Sequence, residues 1–250
     1  MSQQHRLQEI KKLLVDNPEL STSFLKNYFN VSLDTVRRDI LKLASTGQAT
    51  KIYGGVAATN MSGVPEYLTR THILSTTKIN MAKLAAQTIS TPGLYFVGTS
   101  TTLVQMGEFI KQNGVTIITN SIDNVVAFIQ NRNLKIEIIG GAVDNSNRYT
   151  YSMTALTEIK NLSFKKIYIG ASAVNKHGAF VINENDATLM RNVIKQSQEV
   201  ILVSAKYKFG NTSSPYKICD CSQINTLITD SFLTRTEAHW FNSNLKILKV

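Results

Sequence analysis

Cysteine, proline and tryptophan are all scarce, at two, four and one among 250 residues. Cys219 and Cys221 are separated by one residue and have no further partners, which excludes a disulfide framework and points to a reducing compartment. A single Cys-x-Cys lacks two ligands of a structural zinc site, and His5, His72, His177 and His239 are scattered without ligand spacing. No metal, no cofactor and no catalytic residue is therefore expected. The chain has no apolar run of about 20 residues and no signal-peptide core, so a soluble cytoplasmic protein without membrane contact is expected. No Gly-Lys-Ser/Thr ending marks a P-loop, and no GxGxxG marks a dinucleotide site. Acid is short as well: 17 Asp+Glu face 27 Lys+Arg, a net charge of +10. That excess favours an anionic partner, either nucleic acid or a phosphorylated metabolite, and does not choose between them.

Hydrophobic residues make up 43% of the chain, enough to bury a real core. At a usual domain size of about 150 residues, the length approaches two domains. Leu7, Ile10 and Leu14 paint one face of a helix from about Gln4 to Val15. Ser21 can cap a second helix through Phe29, and Asn30 breaks it before a third opens at Ser32. Val36, Ile40 and Leu43 form the third helix's buried stripe, leaving Asp34, Thr35, Arg37 and Arg38 outward. Gly47 ends it, and Gln48 to Tyr53 reads as a short hairpin closed by Gly54-Gly55. Three short helices and a basic hairpin make a winged helix-turn-helix pattern, whose third helix can enter a DNA major groove. The plainer alternative is solvated arginines on a small protein-interaction domain. Asp39 would repel phosphate, so an arginine partner or a local cap is expected for it.

Around Asn60, Ser62, Gly63 and Pro65 the apolar pattern is lost, which marks a linker over 58–76 between a winged domain at 1–57 and a second domain at 77–250. There, strand-length apolar runs at 94–97, 115–119, 134–139, 166–170, 199–204 and 226–229 alternate with helical patterns near 77–90, 101–112, 122–131 and 185–197. Such alternation predicts an α/β domain with a mostly parallel sheet. Leu245, Ile247 and Val250 can add an edge strand. Gly98, Thr99, Ser100, Thr101 and Thr102 follow the first strand, where small residues and hydroxyls at a helix start can hold an anion. A plain βα turn explains them equally well. Asn120, Ser121, Gly140, Gly141 and Gly170 end three further strands and can converge on the same crevice, with Lys78 or Lys83 and Lys208 to neutralise a phosphate.

The stretch VSLDTVRRDILKLASTGQATKIYGGV, Val31 to Val56, resembles the DNA-binding signature of the DeoR family of bacterial transcriptional regulators. The resemblance places Ser32, Thr35, Arg37 and Arg38 on a recognition helix and Lys51 in the wing, against a double-stranded DNA operator. Tyr53 stands where the family often has histidine and is expected to pack the wing. KINMAKLAAQTI, FVGTSTTL, ITNS, IIGGAV, IYIGAS, LVSAKYKFG and LITD, between Lys78 and Asp230, are similar to the family's sensor domain. That domain implies a Rossmann-like fold related to sugar-phosphate isomerases, a phosphorylated-sugar effector and a homo-oligomer. The chain departs from the pattern at Ser100, usually glycine, and at Ala205, where the sensor aspartate is expected; Asp186 and Met153 replace the usual Glu and Gly. Alanine cannot accept a hydrogen bond from a ligand hydroxyl, so the effector's identity stays open. Two other readings remain: a phosphosugar isomerase, for which Asp144 and Asp230 are the available bases, and an effector-independent DNA-binding oligomer.

Overall fold

The computed structural model describes residues 2–17, 19–58, 76–90, 92–212 and 214–250. Two compact units divide the chain, Met1–Ser75 and Thr76–Val250. The expected linker at 58–76 lies, but for its first and last residues, outside the described residues, as does His72.

Helix α1 (Gln3–Asp16) is capped by Ser2, whose hydroxyl accepts from the His5 N–H. A three-residue strand, β1 (Glu19–Ser21), runs into α2 (Thr22–Phe29), and the Ser21 hydroxyl caps it by accepting from Phe24 N–H. Asn30 ends α2 with φ 49° and ψ 53°, a left-handed conformation that a short amide side chain tolerates. Helix α3 (Leu33–Ser45) follows, and Val36, Ile40 and Leu43 bury against Ile10, Leu25 and Phe29. Strands β2 (Ala49–Ile52) and β3 (Gly55–Ala58) form the antiparallel hairpin, and Gly54 turns it at φ 74°. β1 pairs with β3 on the other side, giving the order β1-β3-β2. A Cβ at Gly55 would lie 2.3 Å from the Leu20 carbonyl oxygen, so this pairing requires glycine.

Asp39 faces inward from α3 and is 1% exposed. Its arginine is Arg6 of α1, whose Nε donates to Oδ2 at 2.6 Å, while Gln3 Nε2 donates to Oδ1 at 2.9 Å. The acid thus pins α1 to α3 and leaves Arg37 and Arg38 on the outer face. Tyr53 departs from expectation: it packs against nothing in the hairpin and is fully exposed at the turn.

The second unit runs α4 (Thr76–Gln87), β4 (Gly93–Val97), a 3-10 helix (Leu103–Phe109), β5 (Val115–Thr119), α5 (Ile122–Phe128) and β6 (Leu134–Ile138). The hairpin β7 (Ala142–Asp144) and β8 (Tyr149–Tyr151) leads to α6 (Met153–Ile159) and β9 (Lys166–Gly170). Then come β10 (Ala173–Asn175), β11 (Gly178–Val181), α7 (Glu184–Lys195), β12 (Val200–Val203), β13 (Tyr216–Cys219) and β14 (Thr226–Thr229). A short α8 (Arg235–Ala238) and β15 (Lys246–Lys249) complete the chain. Seven strands form one sheet in the order β15-β14-β12-β9-β4-β5-β6, every neighbouring pair parallel. Strand periodicity divides the core: Tyr95, Val97, Ile117, Tyr168, Ile201 and Val203 pack on one face, and Phe96, Ile118, Ile167, Ile169 and Leu202 on the other. Both faces are covered, as a parallel sheet requires.

The helix expected near 101–112 is a 3-10 turn over Leu103–Phe109. Thr101, Thr102, Val104 and Gly107 are weak α-helix formers, and Phe128 packs so close to Gly107 that a Cβ there would sit 2.3 Å from its ring. A three-stranded antiparallel sheet, β10-β11-β13, and the β7-β8 hairpin were not readable as strands in the sequence. Cys219 and Cys221 are free and buried. Burial pushes their thiols up to about 12 and about 11, so both stay protonated near neutral pH.

Removing the Asp39 carboxylate strands a buried guanidinium, so Asp39→Ala should destabilise the first unit by about 3 kcal/mol. The one tryptophan, Trp240, lies in the second unit. The expected outcome is an early circular-dichroism transition in urea with an unchanged Trp240 fluorescence midpoint; coincident, wild-type transitions would show that the pair holds nothing.

Candidate functional site

In the first unit, α3 presents Asp34, Arg37, Arg38 and Lys42 to solvent, opposite its buried stripe. Ser32 and Thr35 stand at its start, and their hydroxyls lie 2.9 Å apart while Ser32 Oγ accepts from Thr35 N–H at 3.2 Å. Ser32 is therefore occupied as a helix cap. Arg37 Nη1 reaches Asp34 Oδ1 at 3.4 Å across exposed surface, a contact worth little in water. Lys51 lies on β2, half-buried, opposite Val56. Thr22, absent from the sequence-based site, ties the hairpin turn to α2: its N–H and hydroxyl both donate to the Gly54 carbonyl, at 2.8 and 3.0 Å. The turn and the exposed Tyr53 are thereby fixed relative to the helices.

In the second unit, strand order reverses at β4. β5 and β6 continue to one side of it, and β9, β12 and β14 to the other. Loops leaving the carboxyl ends of β4 and β9 diverge there, the topological switch point at which open α/β sheets take ligands. Gly98 to Thr102 leave β4 and Gly170 ends β9. Thr101 Oγ1 accepts from Lys78 Nζ at 3.2 Å, and Lys208 Nζ donates to the carbonyl of Ala171 at 2.6 Å. Lys208, expected to neutralise a phosphate, is buried. Two ammonium groups thus stand by the reversal point. Asn120 at the end of β5 joins the cluster, accepting from Thr99 Oγ1 and donating to Asp186 Oδ1, each at 3.3 Å.

Other expected residues hold the loops together. Ser121 is the N-cap of α5, accepting from Asn124 N–H at 3.2 Å. Thr102 N–H donates to Ser100 Oγ at 3.3 Å, so that amide is engaged inside the turn. Gly140 and Gly141 lie beyond β6, at the open edge of the sheet; Gly141 is needed because a Cβ would come 2.2 Å from the Tyr151 carbonyl oxygen. Lys83 is exposed on α4, and Met153 is exposed at the start of α6.

The sequence reading missed several polar groups here. Asn124 Nδ2 donates to the carbonyls of Val97 and Gly98, both at 3.1 Å, and so fixes the exit of β4. Asn124 Oδ1, Ser204 Oγ and Thr229 Oγ1 are buried without a hydrogen-bond partner among the described residues. Tyr149 donates to Asn183 Oδ1 at 2.6 Å; burial, then the charges of Asp186 and Asp144, hold its phenol well above the ordinary range, so it remains a donor. Asp144 accepts from Asn147 N–H at 2.9 Å, and Asp230 accepts from Lys206 N–H at 2.7 Å. Both carboxylates are tied to backbone. Among the described residues no group of three or more His, Cys, Asp or Glu could hold a metal, and no helix is long and apolar enough to cross a membrane.

Two family models match the chain. The DeoR-like helix-turn-helix domain covers residues 6–61, and the DeoR C terminal sensor domain covers residues 74–231. The chain belongs to the DeoR family. It is similar to the HTH-type transcriptional repressor GlcR of Bacillus subtilis (strain 168), 27% identical over 92% of this chain and 89% of the relative. The HTH-type transcriptional regulator IolR of the same organism is 26% identical over 96% and 98%. The lactose phosphotransferase system repressor of Staphylococcus aureus is 26% identical over 92% and 93%. This is a DeoR-family transcriptional regulator with a helix-turn-helix region and an α/β sensor domain.

One departure from the DeoR pattern has a geometric counterpart. Ser100 packs over Gly170, where an added Cβ would lie 3.0 Å from the serine Cβ and Oγ. Gly170→Ala should therefore cost about 1–3 kcal/mol of stability through overpacking. Ser100→Gly in the same chain should recover most of the loss, read from Trp240 fluorescence in urea; strictly additive effects would mean that the two positions do not compete for space.

Proposed function

We propose that this protein is a cytoplasmic metabolic repressor without catalytic activity, whose DNA affinity is set by a phosphorylated sugar or related metabolite. Its winged domain, residues 1–57, reads an operator; a linker at 58–76 joins it to the effector-sensing and oligomerising domain at 77–250. The carrying observation is the outer face of α3, where Arg37 and Arg38 stand clear of the core because Asp39 is turned inward onto Arg6. Arginines so placed can pair bidentately with guanine edges or neutralise phosphates. Thr35 and the Lys51 hairpin supply further contacts, with Ser32 setting the helix start. The relatives named as repressors support the direction of control.

The effector site is the crevice at the β4–β9 reversal. Gly98, Thr99, Ser100, Thr101 and Gly170 permit close approach, Lys78 and Lys208 bring positive charge, and Asn120 and Asp186 offer polar groups for hydroxyls. A homo-oligomer would present two winged domains to half-sites one helical turn or a multiple apart. By linkage, the factor by which effector changes DNA affinity is the factor by which DNA changes effector affinity.

Fluorescence anisotropy on duplexes from the upstream region tests both halves, at fixed salt against scrambled duplex and with a panel of phosphorylated sugars. Arg37→Ala or Arg38→Ala should weaken operator binding by about five- to a hundredfold and leave effector binding intact. Unchanged affinity would remove these arginines from the interface. Thr101→Val should leave bare operator binding at the wild-type level and blunt the metabolite response; a full response would place the effector elsewhere.

A further inference from the structure

The sheet of the second unit ends at β6, beyond which no strand pairs among the described residues. In this parallel ladder Thr119 lies opposite Ile138, and Ile139 N–H donates to the Thr119 carbonyl at 2.8 Å. Backbone groups alternate along a strand, so Lys135 and Glu137 turn theirs toward β5, while Leu134, Ile136 and Ile138 turn theirs to the open edge. Leu134 N–H meets the Asn131 carbonyl at 3.2 Å; Ile136 and Ile138 address whatever lies outside. An open edge of this kind is a template for another strand.

The sequence of β6, Leu-Lys-Ile-Glu-Ile, is complementary to itself. In an antiparallel pair centred on Ile136, Leu134 of one copy faces Ile138 of the other, and Lys135 faces Glu137 on both sides of the two-fold axis. The parity also fits. The edge-facing residues fall at hydrogen-bonded positions, which places Lys135 and Glu137 at the intervening positions, where opposed Cα atoms are only about 4.5 Å apart. Within one copy these two side chains touch at 2.6 Å while remaining 72% and 45% exposed, a contact that contributes little alone. A parallel, in-register pair would set lysine beside lysine and glutamate beside glutamate. Helix α5, which packs on β6, leaves Val126 and Ile129 60% and 63% exposed one turn apart. A two-fold axis normal to the sheet brings both copies of α5 to the same face of the joined sheet.

We propose that a second copy of this chain docks antiparallel on β6, joining two seven-stranded sheets across a two-fold axis. The proposal rests on the homo-oligomer of the proposed function and supplies its surface. Sedimentation velocity of the full chain tests it, with circular dichroism and Trp240 fluorescence checking that each variant folds. The wild type should self-associate. Glu137→Lys, which opposes lysine to lysine, and Lys135→Glu, which opposes glutamate to glutamate, should each weaken association by about tenfold. The exchange Lys135→Glu with Glu137→Lys should restore it, because the swapped strand is again self-complementary. Association indifferent to both single reversals, or a weakening that the exchange does not repair, overturns the β6 surface while leaving an oligomer in place. A wild type monomeric at every concentration removes the oligomer itself.

Discussion

Parallel pairing governs the larger unit. Two parallel neighbours cannot be joined by a tight turn, so each connection must cross a face of the sheet and return to the starting end. Helices consequently cover both faces, and the interior strands must be apolar on both sides, as the Tyr95-Phe96-Val97 run is. The same rule sends all outgoing loops to one end. Because β4 lies in the interior of the sheet and the chain leaves it first to one side and then to the other, Gly98–Thr102 and the Gly170 turn part company without a crossing loop between them. The switch point follows from chain direction before any side chain is chosen. Side chains then decide its chemistry, through Asn124 holding the β4 exit and Lys208 turned onto the Ala171 carbonyl.

The smaller unit separates charge by depth. Arg37, Arg38 and Asp39 are consecutive, yet a helix rotates each by about 100° from the last. Asp39 falls on the buried side and finds Arg6; the arginines fall outside. A burial cost for one carboxylate is offset by a bond to another helix, and the outer face keeps Arg37, Arg38 and Lys42, with Asp34 as its one acid. Local capping reinforces the arrangement, since Ser2, Ser21 and Ser32 each accept an amide at the start of their helices.

Much of this was legible in the residues. Apolar runs of strand length placed the five interior strands and the edge strand β6, and Leu245, Ile247 and Val250 announced β15; for the interior strands, burial on both faces leaves a dense signal. The Leu7, Ile10 and Leu14 face marked the first helix, and Ser21, Asn30 and Ser32 marked the next two, for equally local reasons. What escaped was short or relational. β1 is three residues long, and β7, β8 and β10 are no longer, too brief for alternation to register. The Thr101–Thr102 segment read as the start of a helix, while packing of Phe128 on Gly107 accompanies a 3-10 turn instead. The burial of Lys208 was not legible, because only the fold brings Ala171, 37 positions earlier, beneath its ammonium. Ser121 and Asn124 show the same limit: one follows a strand and the other lies in the first turn of α5, and only hydrogen bonds reveal that Ser121 caps that helix and Asn124 grips a neighbouring loop.

The strand between the first two helices has a further meaning. β1 belongs to the connection from α1 to α2, yet it is paired residue for residue with β3: Glu19 with Ala57, Leu20 with Val56 and Ser21 with Gly55. Since β3 is in turn registered with Lys51 on β2, the spacing of the first helix pair acts as a ruler for the hairpin. A one-residue slip along that ruler would exchange the faces of the strand, and in one direction would bring Val56 to the place against Leu20 that Gly55 holds. Lengths of the α1–α2 connection and of the hairpin are therefore coupled, and neither can drift in evolution without the other.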